Sequence, residues 1–268
     1  MEGLPGAKLV KSMSLKPSAE HTPFELLPGA HFLDQECSAG YLRLVLEMVR
    51  EKGIPWAVYM DRHSALKRND PHWTLEEELR GTQDPTQVER ALKELGVECI
   101  YALSPQAKGR VERLWGTLQD RLVSELRLVG AATVAEAQAV LDRYRLEFNR
   151  RFTVKPLDAE PAWRPVAKGV DLQRLCSFRY TATVQNDNTV RLQGMVIDVP
   201  PGPAKRTYAK AKVELRQYLD GSWRVFYRSE LIARAASTEV GELRPRKQTK
   251  RPAASRAFRK SLLTVSLP

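Results

Sequence analysis

Cysteine and histidine are scarce: three Cys and four His in 268 residues. Cys37, Cys99 and Cys176 stand far apart and form no Cys-x-x-Cys pair. That excludes a disulfide framework and a cysteine-built zinc site, and suits buried thiols in a reducing compartment. No run approaches the roughly eighteen apolar residues of a membrane-crossing helix. The first residues, MEGLPGAKLVKSM, lack the apolar stretch of a secretory signal. Acid is in deficit as well, with 32 Asp and Glu against 43 Lys and Arg.

What is present is a globular composition, 43% hydrophobic and 28% charged, on a chain long enough for one large or two modest cores. The net charge of +11 points to a polyanionic partner, nucleic acid first among them. Much of it is local: from Arg244 to Lys260 there are eight Lys or Arg and no acid. Such a tail reads as a phosphate-binding arm, or as a solvated extension without a specific role.

Residues 1–22 show no clear period and are interrupted by proline, so they read as an irregular leader. FELLPGAHFL (24–33) reads as a bent strand or hairpin turning at Pro28-Gly29. Tyr41, Leu44, Val45, Met48 and Val49 recur at helical spacing behind a Ser38 cap, and Gly53 closes that helix. WAVYM (56–60) is an apolar run of strand length ending on Asp61, as in strands covered on both faces. After a polar stretch, Asp84-Pro85-Thr86-Gln87 opens another helix, VECIYA (97–102) reads as a strand, and Ser104-Pro105 caps a long helix to about Leu128. A capping box at Thr133 to Glu136 opens a last helix. This strand–helix alternation predicts an α/β layer architecture up to about Phe152. Prolines 156, 161 and 165 then mark a linker. Beyond it come about five short strands, with hairpins expected around 186–188 and at Asp220-Gly221, the pattern of a small barrel.

Two carboxylates carry the chemistry. Asp61 follows a buried strand, and Glu112 sits in the second turn of the helix within SPQAKGRVERLWGTLQDRL. Each alone is more often a turn residue or a solvated helix face. Converging, they offer hard oxygen ligands of the kind Mg²⁺ takes. Two such ions, roughly 4 Å apart, activate an attacking hydroxyl and steady a leaving oxygen.

Three stretches taken together resemble the ISNCY-type insertion-sequence transposases of the DDE integrase and transposase superfamily. They are AGYLRLVLEMVREKGIPWAVYMDRHS, PTQVERALKELGVECIYALSPQAKGRVERLWGTLQDRL and EFNRRF, and the likeness runs from about residue 27 to 152. It implies a ribonuclease H-like core over 23–154, a linker over 155–174, a small SH3-like barrel over 175–236 and a basic disordered tail over 237–268. Asp61 and Glu112 become the second and third acidic residues of the catalytic triad, both ligands of Mg²⁺. They are 51 positions apart, with 62–82 as an insertion relative to retroviral integrases. Lys108 and Arg110, and in the tail Arg246, Lys247, Lys250 and Arg251, are the expected DNA contacts.

The implied reaction is Mg²⁺-dependent cleavage and strand transfer on double-stranded DNA, at element ends and target. The implied setting is the bacterial cytoplasm, at the nucleoid, without a membrane and with homo-oligomers in scope. One element of the family pattern is missing: no acid upstream of Asp61 stands in the context of the first strand, and Asp34 and Glu36 read as helix caps. The expectation is an N-terminally truncated chain that binds two ions weakly or not at all. The alternative is a non-catalytic DNA-binding regulator competing with an intact transposase.

Overall fold

The computed structural model describes residues 8–10, 14–15, 29–33, 35–60, 62–101, 116, 118, 120–152 and 163–243. These form a mixed α/β assembly around three apolar cores.

The first core is built on α1 (Ser38–Lys52), whose five expected apolar positions are all buried, joined by Leu42 and Leu46. So wide an apolar surface fits a helix covered by neighbours rather than one facing water. Its N-cap is Cys37, with no side-chain capping bond. Ser38, expected to cap, instead donates its hydroxyl to Glu242 at 3.0 Å. Gly53 ends the helix at φ 98°, and a Cβ there would meet the Arg164 carbonyl oxygen at 2.6 Å, so only glycine fits.

After β4 (Ile54–Pro55) comes β5 (Ala57–Met60), with Val58 and Met60 buried. Trp56, expected inside this strand, lies outside it and is exposed, its ring beneath the Arg164 guanidinium at 5.0 Å. β6 (Glu98–Tyr101) runs parallel to β5 in the register Val58↔Cys99 and Met60↔Tyr101. α3 (Gln87–Glu94) makes the crossover. Its N-cap is Thr86, which accepts from the Glu89 N–H at 3.2 Å, so the cap lies two residues beyond the expected Asp84. The polar stretch before it holds a helix the sequence reading did not foresee, α2 (Leu75–Arg80).

The leader corrects another expectation. Residues 8–10 form β1 (Lys8–Val10), antiparallel to β3 (His31–Leu33), and 14–15 form β2 (Ser14–Leu15), antiparallel to β5. The open edge of β5 recruits the nearest extended backbone, because its unpaired N–H and C=O groups are costly when buried. The expected turn at Pro28-Gly29 falls partly outside the described residues.

The second core lies between β3, the helix α4 (120–129) and α5 (Val134–Phe152), where Phe32, Leu118, Leu122, Val140, Leu141 and Phe148 are buried. The Thr133–Glu136 capping box opens α5 as expected, with bonds of 3.2 and 3.0 Å. Gln138 on α5 both accepts from the Phe32 N–H and donates to the Ala30 carbonyl, each at 3.0 Å, and so seals the backbone entering β3.

The third core belongs to a β unit. β8 (Phe178–Thr183), β11 (Lys212–Gln217), β12 (Trp223–Tyr227) and β13 (Glu230–Ala235) form an antiparallel sheet in the order 13-12-11-8. β9 (Thr189–Leu192) and β10 (Met195–Asp198) form a separate hairpin. Val190, Ile197, Val213, Leu215, Trp223 and Val225 close the interior. The Asp220-Gly221 turn joins β11 to β12 as expected. The hairpin expected around 186–188 is not a ladder: β8 pairs with β11, and β9 turns instead onto β10.

The expected linker is a packed segment where it is described. β7 (Trp163–Arg164) pairs with β4, and Val166, Leu172 and Leu175 lie against the first core, with Leu172 and Leu175 on the short helix α6 (Leu172–Leu175). Cys176 and Phe178 are buried in that core too. Across the seam, Arg90, Arg179 and Arg216 surround Glu94 at 2.9, 2.9 and 3.5 Å, while Arg174, Arg179 and Arg216 surround Glu214 at 3.0, 3.0 and 2.8 Å.

Burial works to raise the Glu94 and Glu214 carboxyls, but the adjoining arginines outweigh it and hold both below the usual glutamate range. A depressed folded-state pKa contributes stability above the unfolded value, near 4.3, and loses it as pH falls through the folded value. The wild-type melting temperature should therefore drop as pH falls below about 4. Glu94→Gln should cost roughly 1–3 kcal/mol at neutral pH and flatten that decline. Parallel pH profiles of the two proteins in thermal melts would show the cluster to be energetically silent.

Candidate functional site

Every site residue expected from sequence lies outside the described residues: Asp61, Glu112, Lys108, Arg110, Arg246, Lys247, Lys250 and Arg251. What is described is the frame around the C-terminal end of β5, the edge where parallel strands leave a crevice for ligands.

On the α1 side stand Glu36, Tyr41 and His63. Past Met60 the chain turns tightly, and the Leu66 and Lys67 N–H groups both donate to the His63 carbonyl at 2.9 Å. His63 Nδ1 accepts from the Ala65 N–H at 3.3 Å, which aims Nε2 at Glu36, 3.8 Å away. The Glu36 carboxylate also accepts from the Tyr41 hydroxyl. Tyr41 is buried and its ring centroid lies 6.3 Å from that of His63. Glu36, read from sequence as a cap, therefore serves this cluster and not the helix. No sequence signal pointed to it, since Glu36 and His63 come together only through the fold.

On the β6 side, Tyr101 donates its hydroxyl to the Leu66 carbonyl at 3.2 Å, under the Lys67 ammonium, 4.9 Å from the ring centroid. Lys67 and Lys93 both reach the buried Glu89, at 3.5 and 3.0 Å. Burial, with Glu89 next, pushes the Tyr101 phenol far above its usual range. Burial pushes the Cys99 thiol up to about 11 and the Cys176 thiol up to about 12. Neither is a thiolate at neutral pH, so neither is a nucleophile or a soft-metal ligand.

Among the described residues no group of three or more His, Cys, Asp or Glu could hold a metal ion, and no helix is long and apolar enough to cross a membrane. Asp61 and Glu112 match Mg²⁺ in kind, as hard oxygen donors, and fall short of a complete ligand set in number.

No family model matches the chain. It is homologous to transposases over most of its length. It is 31% identical to the transposase-named protein y4bF of Sinorhizobium fredii over 221 residues, 78% of this chain and 47% of the relative. It is 27% identical to the transposase for insertion sequence IS1202 of Streptococcus pneumoniae over 233 residues, 83% of this chain and 48% of the relative. The chain thus spans about half the length of the curated relatives it matches. Among solved structures, the simian T-cell lymphotropic virus intasome in complex with PP2A regulatory subunit B56 gamma matches 88% of this chain and 83% of its own. It does so at 13% identity and a TM-score of 0.30, a superposition too loose to bear on the fold.

The Glu36–Tyr41 bond has a measurable consequence. Tyr41→Phe should lower stability in urea unfolding by about 1 kcal/mol, while Glu36→Gln, whose amide oxygen still accepts, should lower it by less. Equal stability of Tyr41→Phe and wild type would mean the bond contributes nothing.

Proposed function

We propose that this chain is a DNA-binding portion of a DDE-type insertion-sequence transposase of the ISNCY kind. It would comprise a ribonuclease H-like core over 23–154, a segment 155–174 leading to a small barrel over 175–236, and a basic tail over 237–268. The observation that carries the proposal is the similarity to two transposases across 78% and 83% of this chain. A parallel β5–β6 pair joined by a helical crossover, with Asp61 next after β5, supports the ribonuclease H-like reading.

In this reading Asp61 and Glu112 hold Mg²⁺, and Lys108 and Arg110 meet the phosphates beside them. Bound there, the metal would supply charge stabilisation for attack on a phosphodiester. The residues of this chain do the rest: the β5–β6 ladder fixes where Asp61 starts, and the Glu36–His63–Tyr41 cluster and Tyr101 wall the turn that follows it. The tail, with Arg246, Lys247, Lys250 and Arg251, adds sequence-independent affinity for double-stranded DNA.

Catalysis by the chain alone should be impaired. Two-metal chemistry needs enough carboxylates to fix both ions, and the strand paired with the free edge of β5 offers Ser14 and Leu15, not an acid. The second reading, a non-catalytic DNA-binding competitor of a complete transposase, draws support from the same pairing.

Titration of labelled duplex DNA at several salt concentrations tests the DNA assignment. Binding should weaken steeply with salt, and deleting 244–260 should flatten the slope of log affinity against log salt by several units. A salt-independent or unchanged slope would remove the tail from the interface. In the same assay with Mg²⁺ or Mn²⁺, no strand cleavage should appear. Cleavage that vanishes on Asp61→Asn or Glu112→Gln would overturn the impairment and keep the family assignment.

A further inference from the structure

The segment 62–82 is held by more polar bonding than a solvent loop needs. Glu77 is wholly buried, accepts from the Thr74 and Asp84 N–H groups at 2.8 and 2.7 Å, and pairs with Arg68. Those N–H bonds, Thr74 first and Asp84 next, hold its carboxyl down at about 2. Arg68 also grips Asp70 at 2.8 Å and the His72 carbonyl at 2.6 Å, and Thr74 completes a capping box with Glu77. Gln83 ties in the carbonyls of Asp70 and His72 at 2.9 and 3.2 Å.

This fixed scaffold turns three large apolar side chains to water: Trp73 is 38% exposed, Leu75 71% and Leu79 80%. Leu75 and Leu79 are four residues apart on α2 and share a face. Together the three present apolar surface on the order of a few hundred Å², the scale at which a patch marks a contact site. Glu76 and Glu78 flank them, both exposed and in no salt bridge among the described residues.

An acidic, apolar patch is the exception on a chain of net charge +11, whose copies otherwise repel. Its complement lies elsewhere on the same molecule. The turn between α4 and α5 exposes Leu128 at 82%, Val129 at 54% and Val134 at 40%, beside an exposed Arg127. The two patches match in apolar character and oppose in charge.

We propose that the Trp73–Leu79 platform of one copy docks on the α4–α5 turn of a second copy, with Leu75 and Leu79 against Leu128 and Val129 and with Glu76 and Glu78 facing Arg127. The contact joins two different patches, so it closes as a reciprocal dimer or as a ring. It is independent of the DNA reading, because it needs neither metal nor nucleic acid.

The test is sedimentation equilibrium of the full chain without DNA, over about two decades of concentration around the micromolar range. Wild type should associate, and Leu75→Ser with Leu79→Ser should weaken association at least about tenfold, a loss of roughly 1.4 kcal/mol. The melting temperature and DNA affinity should not change, because both side chains already face water. Leu128→Ser with Val129→Ser should do the same from the other side. Glu76→Lys with Glu78→Lys should weaken association, and adding Arg127→Glu should restore part of it. A wild-type chain that stays monomeric throughout overturns the proposal. So does association that survives either serine pair, which would place the contact elsewhere.

Discussion

The described fold depends on a single seam of charge. Arg216 is only 3% exposed and Arg90 is largely enclosed, so each must be compensated or it would cost several kcal/mol of desolvation. Two carboxylates cannot neutralise four guanidiniums. The remainder falls to backbone carbonyls at the end of α6: Arg90 donates to the Ser177 and Leu175 carbonyls at 2.5 and 3.4 Å, and Arg216 to the Arg174 carbonyl at 3.1 Å. Carbonyls at a helix C-terminus carry partial negative charge, which is where a surplus cation is best placed. The chain from 174 to 177 thereby becomes a ligand of the cluster, and the β unit is tied to α3 by bonds that fail together. Gln87, which both donates to the Arg179 carbonyl at 3.0 Å and accepts from its N–H at 2.9 Å, fixes the register of that contact.

That seam bears on function through position. α3 is the crossover that sets β6 beside β5, so whatever holds α3 also holds the strand end from which Asp61 follows. A β unit on a loose linker would leave DNA contacts in the barrel uncoupled from the carboxylates. Burying Cys176 and Phe178 in the first core makes the two halves one mechanical unit at this point. A phosphate gripped by one half is therefore presented to the other at a nearly fixed offset, which is what phosphoryl transfer asks of a scaffold.

Much of this was legible in the sequence where local physics governs. The helical spacing from Tyr41 to Val49 gave α1, the apolar run before Asp61 gave β5, the Thr133–Glu136 box opened α5, and Asp-Gly marked the β11–β12 turn. What escaped was set by distant partners. Glu36 looked like a cap because its true partners, Tyr41 and His63, meet it only once α1 packs beside β5. α2 was missed because its stripe is apolar on the outside and its one buried side chain is a glutamate, the reverse of the pattern that marks an amphipathic helix. The supposed linker was read from its prolines, yet Trp163, Val166, Leu172 and Leu175 gave it enough apolar surface to pack. The pairing of β8 with β11 instead of β9 was equally invisible, since a turn signal says where a chain reverses and not which neighbour it keeps.

The leader shows the same limit from the energetic side. Its composition offered little β propensity, and propensity is a weak guide where an open edge supplies the incentive. β5 buries Val58 and Met60 on a strand whose far side would otherwise carry unpaired N–H and C=O groups, and satisfying a buried backbone group outweighs the few tenths of a kcal/mol at stake in residue preference. So Ser14 and Leu15 pair there in spite of their sequence, antiparallel, in the register Ser14↔Tyr59 and Leu15↔Val58. Hydrogen bonding is indifferent to side-chain chemistry, whereas metal binding is not. The same two residues that satisfy the backbone of the central strand bring no carboxylate to its end. In this chain the integrity of the sheet and the completeness of the site are therefore separate questions, and the first can be answered without the second.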